Sequence, residues 1–244
     1  MDFLSPVAAW LTDPAHWSGT NGVPQRLLEH LGYSVVATLA AAAIALPLGL
    51  LLGHTGRFGN LAINVANIGR AIPTFGLIVI AFILLGFSVL PVFIALVSLA
   101  IPPILTNTYV GIRQVDREVR EAATGMGMSG SQVLWRVEAP IAVPLIMAGL
   151  RVSAVQVVAT ATLAAVVSFG GLGRFIIDGL AQGVQGPARG LPQVVAGALL
   201  VAGLAITTEV TLGWVQRAVT PQGLRERLPA TVAPTPAENV VSPS

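Results

Sequence analysis

The sequence predicts an all-α integral membrane protein with five membrane-spanning helices. Three observations carry this reading. The 244 residues are 54% hydrophobic and only 10% charged, with mean hydropathy +0.79, where soluble domains carry about 25% charge. The charges cluster, which leaves charge-free windows long enough to cross a bilayer. Small residues recur at every fourth position in the first of those windows and form a second stripe around another, a pattern that lets helices approach closely inside lipid.

The same composition excludes several classes. Cysteine is absent, so disulfides and thiolate metal sites are ruled out. All 13 basic residues are arginines, and net charge is +2, so the high pI reflects arginines at membrane edges and not a nucleic-acid surface. The first 30 residues hold Asp2, Asp13 and three prolines but no basic segment followed by an apolar core, so no cleavable signal peptide is expected.

Residues 1–32 are mixed, with Trp10, His16, Trp17, Arg26 and Glu29. They read as short extracytoplasmic or interfacial helices, since tryptophan favours the headgroup level. Residues 33–217 form the transmembrane domain. Tyr33 to Gly53 carries no charge and is long enough for the first span, with Ala37, Ala41, Ala45, Gly49 and Gly53 as a small-residue stripe. Pro47 marks a place for a kink that a bundle tolerates. After the turn around Arg57, the helix restarts near Asn60. Asn64, Asn67 and Arg70 are three apart and share one face. Arg70 lies about 15 Å along this helix, so the helix is expected to begin in water or to face a polar cavity. The charge-free stretch from Ala71 to Ile112 holds two spans, 60–86 and 88–110, separated near Gly86-Phe87-Ser88. Pro102-Pro103 is expected to kink or break the third span.

Residues 113–140 interrupt the apolar pattern. Arg113, Asp116, Arg117, Glu118, Arg120 and Glu121 fall close together. Residues 118–126 read as a helix ended by Gly127. Ser129-Gly-Ser-Gln132 has capping-box spacing and starts a second short helix. The pair is a compact polar knob between spans three and four. Span four covers 141–169 and enters the membrane around Arg151, with Gly149, Ser153, Ala161 and Ala165 as the second small-residue stripe. Residues 174–190 form a polar connector with a short surface helix. Span five covers 191–216, with Glu209 near its end, and 218–244 is a Pro/Thr/Ser-rich disordered tail.

Placing the knob inside the cell puts ten arginines on the cytoplasmic side and leaves Arg26, Arg174 and Arg189 outside. The bias predicts an outside N-terminus and a cytoplasmic C-terminus.

At the knob the sequence resembles a family. Glu121-Ala122-Ala123, Gly127, Val137, Ala139 and Pro140 follow the spacing of the EAA loop of bacterial ATP-binding-cassette (ABC) importer permeases. Val137 and Ala139 stand where the family more often has isoleucine and leucine. Ala71-Ile-Pro-Thr74, the segment 101–112 around Asn107, and Ser168-Phe-Gly-Gly-Leu-Gly173 extend the likeness to the osmoprotectant branch, which serves glycine betaine, carnitine, choline or proline betaine. Methionine-type permeases share the knob and a similar glycine turn, so a permease for an amino acid such as methionine stays as the alternative.

The resemblance implies a MetI-like, type I ABC importer permease fold in the bacterial inner membrane. It implies a second permease, identical or a paralogue, a pair of ABC ATPase subunits and an extracytoplasmic substrate-binding protein, with lipid around the bundle. It assigns Glu121, Ala122, Ala123, Gly127 and Pro140 to coupling with the ATPase. Glu121 also has the spacing for a local ion pair with Arg117. ATP and magnesium are expected on the ATPase, because this chain has no lysine and no G-x-x-x-x-G-K-[ST]. No cofactor, metal site, catalytic residue or nucleic acid is expected here. Asn64, Asn67, Thr74 and Asn107 are candidates for the substrate path, with helix-to-helix hydrogen bonding as the other reading. Gly170, Gly171 and Gly173 are candidates for the outer gate, with a plain flexible helix end as the other reading.

Other classes fit less well. A membrane enzyme would need chemistry at membrane depth, yet His16, His30 and His54 lie outside the predicted span cores. A secondary carrier, which moves solute without ATP, usually has intramembrane carboxylates and repeated halves. Only Glu209 is a candidate carboxylate, and no internal repeat is visible.

Overall fold

The computed structural model describes residues 4–220, apart from 60, 62, 65–67, 69–72, 87, 168 and 185–189. Among the described residues there is no strand. A short helix α1 (Leu4–Thr12) and a tight turn at Pro14–Trp17 precede the first long helix, α2 (Val23–Thr55). The first span therefore belongs to a helix that starts at Val23, ahead of the expected Tyr33. Pro24 sits in its first turn, where the missing N–H has no cost, and Arg26, Glu29 and His30 occupy the added turns.

Helix α3 (Thr74–Leu85) is the longest continuously described part of span two, and Gly86 stops it with φ 74°, near the predicted break. Helix α4 (Leu90–Arg113) is span three. Helices α5 (Arg117–Gly125) and α6 (Gly130–Val133) build the knob. A wide π-type turn (Leu134–Glu138) leads into α7 (Ala139–Thr160), which tightens into a 3-10 segment (Ala161–Val167). The connector carries α8 (Gly173–Ala181), and α9 (Leu191–Val219) is span five. Four of these stretches, α2, α4, α6 through the 3-10 segment, and α9, are long and apolar enough to cross a membrane, while α3 is shorter.

Close approach of backbones holds the bundle together. Ala37, Ala41, Ala45, Gly49 and Gly53 are all buried, as the stripe predicts. A Cβ at Gly49 would lie 2.7 Å from the Thr108 Cβ, and one at Gly53 would lie 2.7 Å from the Ile112 Cβ. These glycines set the α2–α4 distance. Gly149 does the same between α7 and α4, where its Cβ would meet the Asn107 Cβ at 2.8 Å. Ser153 donates to the Ala100 carbonyl at 2.8 Å across that interface. Such a bond in lipid contributes about 0.6 kcal/mol. Many large apolar side chains point outward, among them Leu39, Ile83, Leu84, Ile206 and Trp214. In water that much apolar surface would drive association; against acyl chains it costs nothing.

One expectation is narrowed and another extended. Helix α4 runs through Pro102-Pro103 without a break. Pro102 and Pro103 are buried, the Ala100 carbonyl accepts from Ser153 of α7, and the Pro103 carbonyl accepts from Asn107 of the same helix. Arg151 is not explained by membrane entry alone. It reaches from α7 to α9, where its guanidinium lies 2.9 Å from the Glu209 carboxylate and donates to the Gln216 side chain at 3.1 Å. Gln216 in turn donates to the Pro144 carbonyl at 3.0 Å, which closes a polar clasp between the two spans.

Candidate functional site: the polar knob and the outer glycine turn

The knob is built by local rules. The Asp116 carboxylate caps α5 by accepting the Glu118 N–H at 2.9 Å, and Glu118 adds negative charge to the first turn. At the other end, Met126 and Met128 donate to the carbonyls of Ala122 and Ala123, at 3.0 and 3.2 Å. This helix stop needs a left-handed residue between them. Gly127 supplies it with φ 85°. Two residues on, the capping box forms as its spacing predicts. Ser129 accepts the Gln132 N–H, and the Gln132 side chain accepts the Ser129 N–H at 2.8 Å. Pro140 sits in the first turn of α7, where a proline is tolerated.

The outer face of the knob carries Glu121 and Ala122, both exposed. Glu121 accepts from the Arg117 guanidinium at 2.6 Å. This local pair holds Arg117 above its ordinary pKa, first through the hydrogen bond and then through the charge. Ala123 is buried against its own chain. Its small side chain therefore seats the knob on the bundle, and only Ala122 is available for close seating of a partner. Sequence reasoning missed the apolar part of this surface. Met126 is 74% exposed and Trp135 is 61% exposed, and Val119 is exposed as well. A methionine and a tryptophan bared on a polar projection are suited to a protein cleft.

Sequence reasoning also missed Glu138. Its carboxylate is buried at the foot of the knob. One oxygen lies 2.6 Å from His54 Nδ1 at the end of α2, and the other lies 3.1 Å from Arg120 Nε on α5. A carboxylate only accepts, so Nδ1 carries the hydrogen. The Arg120 guanidinium also donates to the Ile112 carbonyl near the end of α4. The available signal was a lone glutamate two residues before Pro140, with no partner nearby in sequence.

The candidate gate glycines lie together at the opposite end of the bundle. Glu29 on α2 accepts the Gly171 N–H at 2.8 Å while its carboxylate pairs with Arg26 at 2.8 Å. A Cβ on Gly170 would fall 1.9 Å from Glu29 Oε2, and one on Gly173 would fall 2.3 Å from the Thr162 carbonyl. Gly171 has φ 90°. His30, fully buried next to it, lies 2.8 Å from the Val158 carbonyl through Nε2. The turn is a tightly seated latch on α2 and not a loose helix end.

The described candidate path residues differ in their surroundings. Asn64 is exposed, Thr74 is the half-buried first residue of α3, and Asn67 lies outside the described residues. Asn107 donates to the Pro103 carbonyl in its own helix at 2.8 Å, so its amide is engaged within α4 and not between helices. A cleft of about 900 Å³ opens between α2, α7 and α9. Asn64, Thr74 and Asn107 do not line it, and its walls, such as Leu31, Leu150, Leu200 and Leu204, are almost wholly apolar. A polar solute gains nothing there.

Comparison with known proteins follows the same lines. Residues 45–221 match the family described as binding-protein-dependent transport system inner membrane component. The carnitine transport permease protein OpuCB of Listeria monocytogenes is 38% identical over 198 residues, covering 81% of this chain and 88% of the relative. The glycine betaine/carnitine/choline transport system permease protein OpuCB of Bacillus subtilis is 36% identical, with coverages of 81% and 88%. The osmoprotectant import permease protein OsmW of Salmonella typhimurium is 32% identical, with coverages of 81% and 91%. Among solved structures, an inward-facing methionine ABC transporter superposes with TM-score 0.72 at 21% identity, covering 86% of this chain and all (100%) of that one. An amino acid ABC transporter gives 0.62 at 21%, with coverages of 89% and 99%. At that identity the structural likeness speaks for the fold alone.

Proposed function

This chain belongs to the family of binding-protein-dependent transport system inner membrane components, and from that premise we propose that it imports quaternary ammonium osmoprotectants such as glycine betaine, carnitine or choline. It is a permease subunit of an ABC importer with the all-α, MetI-like fold. The observation that carries the coupling part of the proposal is the knob: two short helices held at the ends of α2, α4 and α7, with Met126, Trp135 and Ala122 exposed. Such a projection seats in a cleft of a nucleotide-driven subunit and passes that subunit's motion to the bundle as rocking. A pair of ATPases, a second permease and an extracytoplasmic binding protein complete the assembly, and nucleotide and magnesium bind on the ATPases.

The solute class rests on the relatives' names. Methionine is the weaker alternative, because the methionine transporter is similar in fold at only 21% identity. A quaternary ammonium ion favours an aromatic cage, and this chain is only 6% aromatic, so selection by affinity falls to the binding protein. The test is reconstitution in proteoliposomes with an ABC ATPase and a binding protein from the same organism. ATP-dependent uptake of labelled betaine, carnitine or choline, with none of methionine, is expected. Methionine uptake alone, or uptake without ATP, would overturn the reading.

A further inference from the structure

We propose that Glu138 is the positioning residue that fixes the knob to the membrane bundle, so that the knob and the first and third spans move as one body. The inference rests on the coupling role given to the knob, and its first readout does not.

Four segments meet at this one carboxylate. Glu138 ends the π-type turn that leads from α6 into α7. His54 is in the last turn of α2, and Arg120 is in the middle of α5. Through its bond to the Ile112 carbonyl, Arg120 adds the end of α4. A load on α5 therefore reaches α2, α4 and α7 through polar contacts: the His54–Glu138 hydrogen bond at 2.6 Å, the Arg120–Glu138 ion pair at 3.1 Å, in which Nε itself makes no hydrogen bond, and the bond from Arg120 to the Ile112 carbonyl. The turn itself is a local departure from α-helix. Insertions of this kind are rare and often mark functional sites.

A buried carboxylate is a poor choice for stability alone. Apolar side chains of similar volume usually hold a core as well or better, while a charged cluster fixes one arrangement and penalises others. The surroundings leave little freedom. A Cβ on Gly130, at the start of α6, would lie 3.4 Å from His54 Nε2. The Arg113 guanidinium lies against Gly56, where a Cβ would be 3.0 Å from it. The second cation thus guards the end of α2 without entering the cluster.

The chain has no cysteine, so a spin-label pair can be placed cleanly. Thr55→Cys and Met126→Cys label the exposed end of α2 and the exposed tip of the knob. Electron–electron distance measurement on the full chain in nanodiscs is expected to give a narrow distribution. Glu138→Gln, which keeps the shape and removes the charge, is expected to widen it at least twofold. In the reconstituted assembly the same variant is expected to hydrolyse ATP while solute moved per ATP falls at least fivefold. His54→Gln alters the cluster from its half-exposed side and stands in if Glu138→Gln fails to insert. The double variant should be no worse than either single one. An unchanged distance distribution overturns the proposal, as does an unchanged uptake-to-ATP ratio. If the unaltered chain shows no ATP-coupled uptake, the transport reading fails, and the distance measurement alone decides the role of Glu138.

Discussion

Gly127 shows how one backbone angle constrains the knob. Its φ of 85° is what the helix stop requires, and nothing lies within 4 Å of the place a Cβ would take. Space is therefore free and only conformation is at issue. Gly127→Ala should cost about 1–2 kcal/mol, the ordinary penalty for a left-handed L-residue, and Gly127→Asn less. Gly127→Pro is different in kind. Proline fixes φ near −65° and removes an N–H that donates to the Thr124 carbonyl at 2.9 Å. We expect that variant to insert normally in membrane fractions and to lose ATP-driven uptake, with Ala and Asn ranked between it and the unaltered chain. Uptake by Gly127→Pro at the unaltered rate would remove the knob from the coupling path. This angle was legible in the sequence, because a glycine at the end of a short helical pattern is the residue that adopts a left-handed stop without a Cβ penalty. The seat of Gly170 on Glu29 was not: the two are far apart in sequence, and only the folded chain shows that a methyl group there would displace a carboxylate.

At the scale of helices, short-range pattern and long-range pairing separate cleanly. The apolar windows, the two small-residue stripes, the capping box and the stop at Gly86 each follow from neighbours within about a turn, and each stands in the structure. The contacts that escaped join residues 84 apart, as His54 and Glu138, or lie between spans, as Arg151 and Glu209. No periodicity encodes which charged residue on one span faces which on another. The α7–α9 clasp yields a prediction of its own. Both partners are partly exposed, so the pair falls between a solvated surface bridge, about 0–1 kcal/mol, and a lone charge at mid-membrane, about 2.5–3.5 kcal/mol. Arg151→Leu strands Glu209 and should destabilise the chain by roughly 1–3 kcal/mol on those limits. Glu209→Leu should cost a similar amount. The double variant should recover most of the loss, because neither charge is then left unpaired. Thermal unfolding in detergent, run as a double-mutant cycle, measures the coupling. Strictly additive losses would mean that the two charges do not support each other.

For the whole molecule, two polar structures sit at opposite ends of one apolar bundle. The knob lies where α2 and α4 end, and the Glu29–Gly171 latch lies near where α2 begins. The arginine bias orients this polarity: with the knob inside, ten arginines are cytoplasmic and three are not. The charge rule counts residues near span ends, and Arg113, Arg117, Arg120 and Arg136 all lie in the knob segment, so inverting the chain would carry that whole cluster across the membrane. With five spans, the two termini are expected on opposite sides. The chain offers a direct test because it has no native cysteine. Asn21→Cys lies in the exposed turn before α2, and Met126→Cys lies at the exposed tip of the knob. A maleimide that cannot cross the membrane should label Asn21→Cys in cells whose outer membrane alone has been made permeable. It should label Met126→Cys only after the inner membrane is also opened, and a reporter fused after Ser244 should score as cytoplasmic. Labelling of Met126→Cys with the inner membrane intact would put the knob on the wrong side to meet any ATP-driven subunit. The mechanism would fail at that point, whatever the fold.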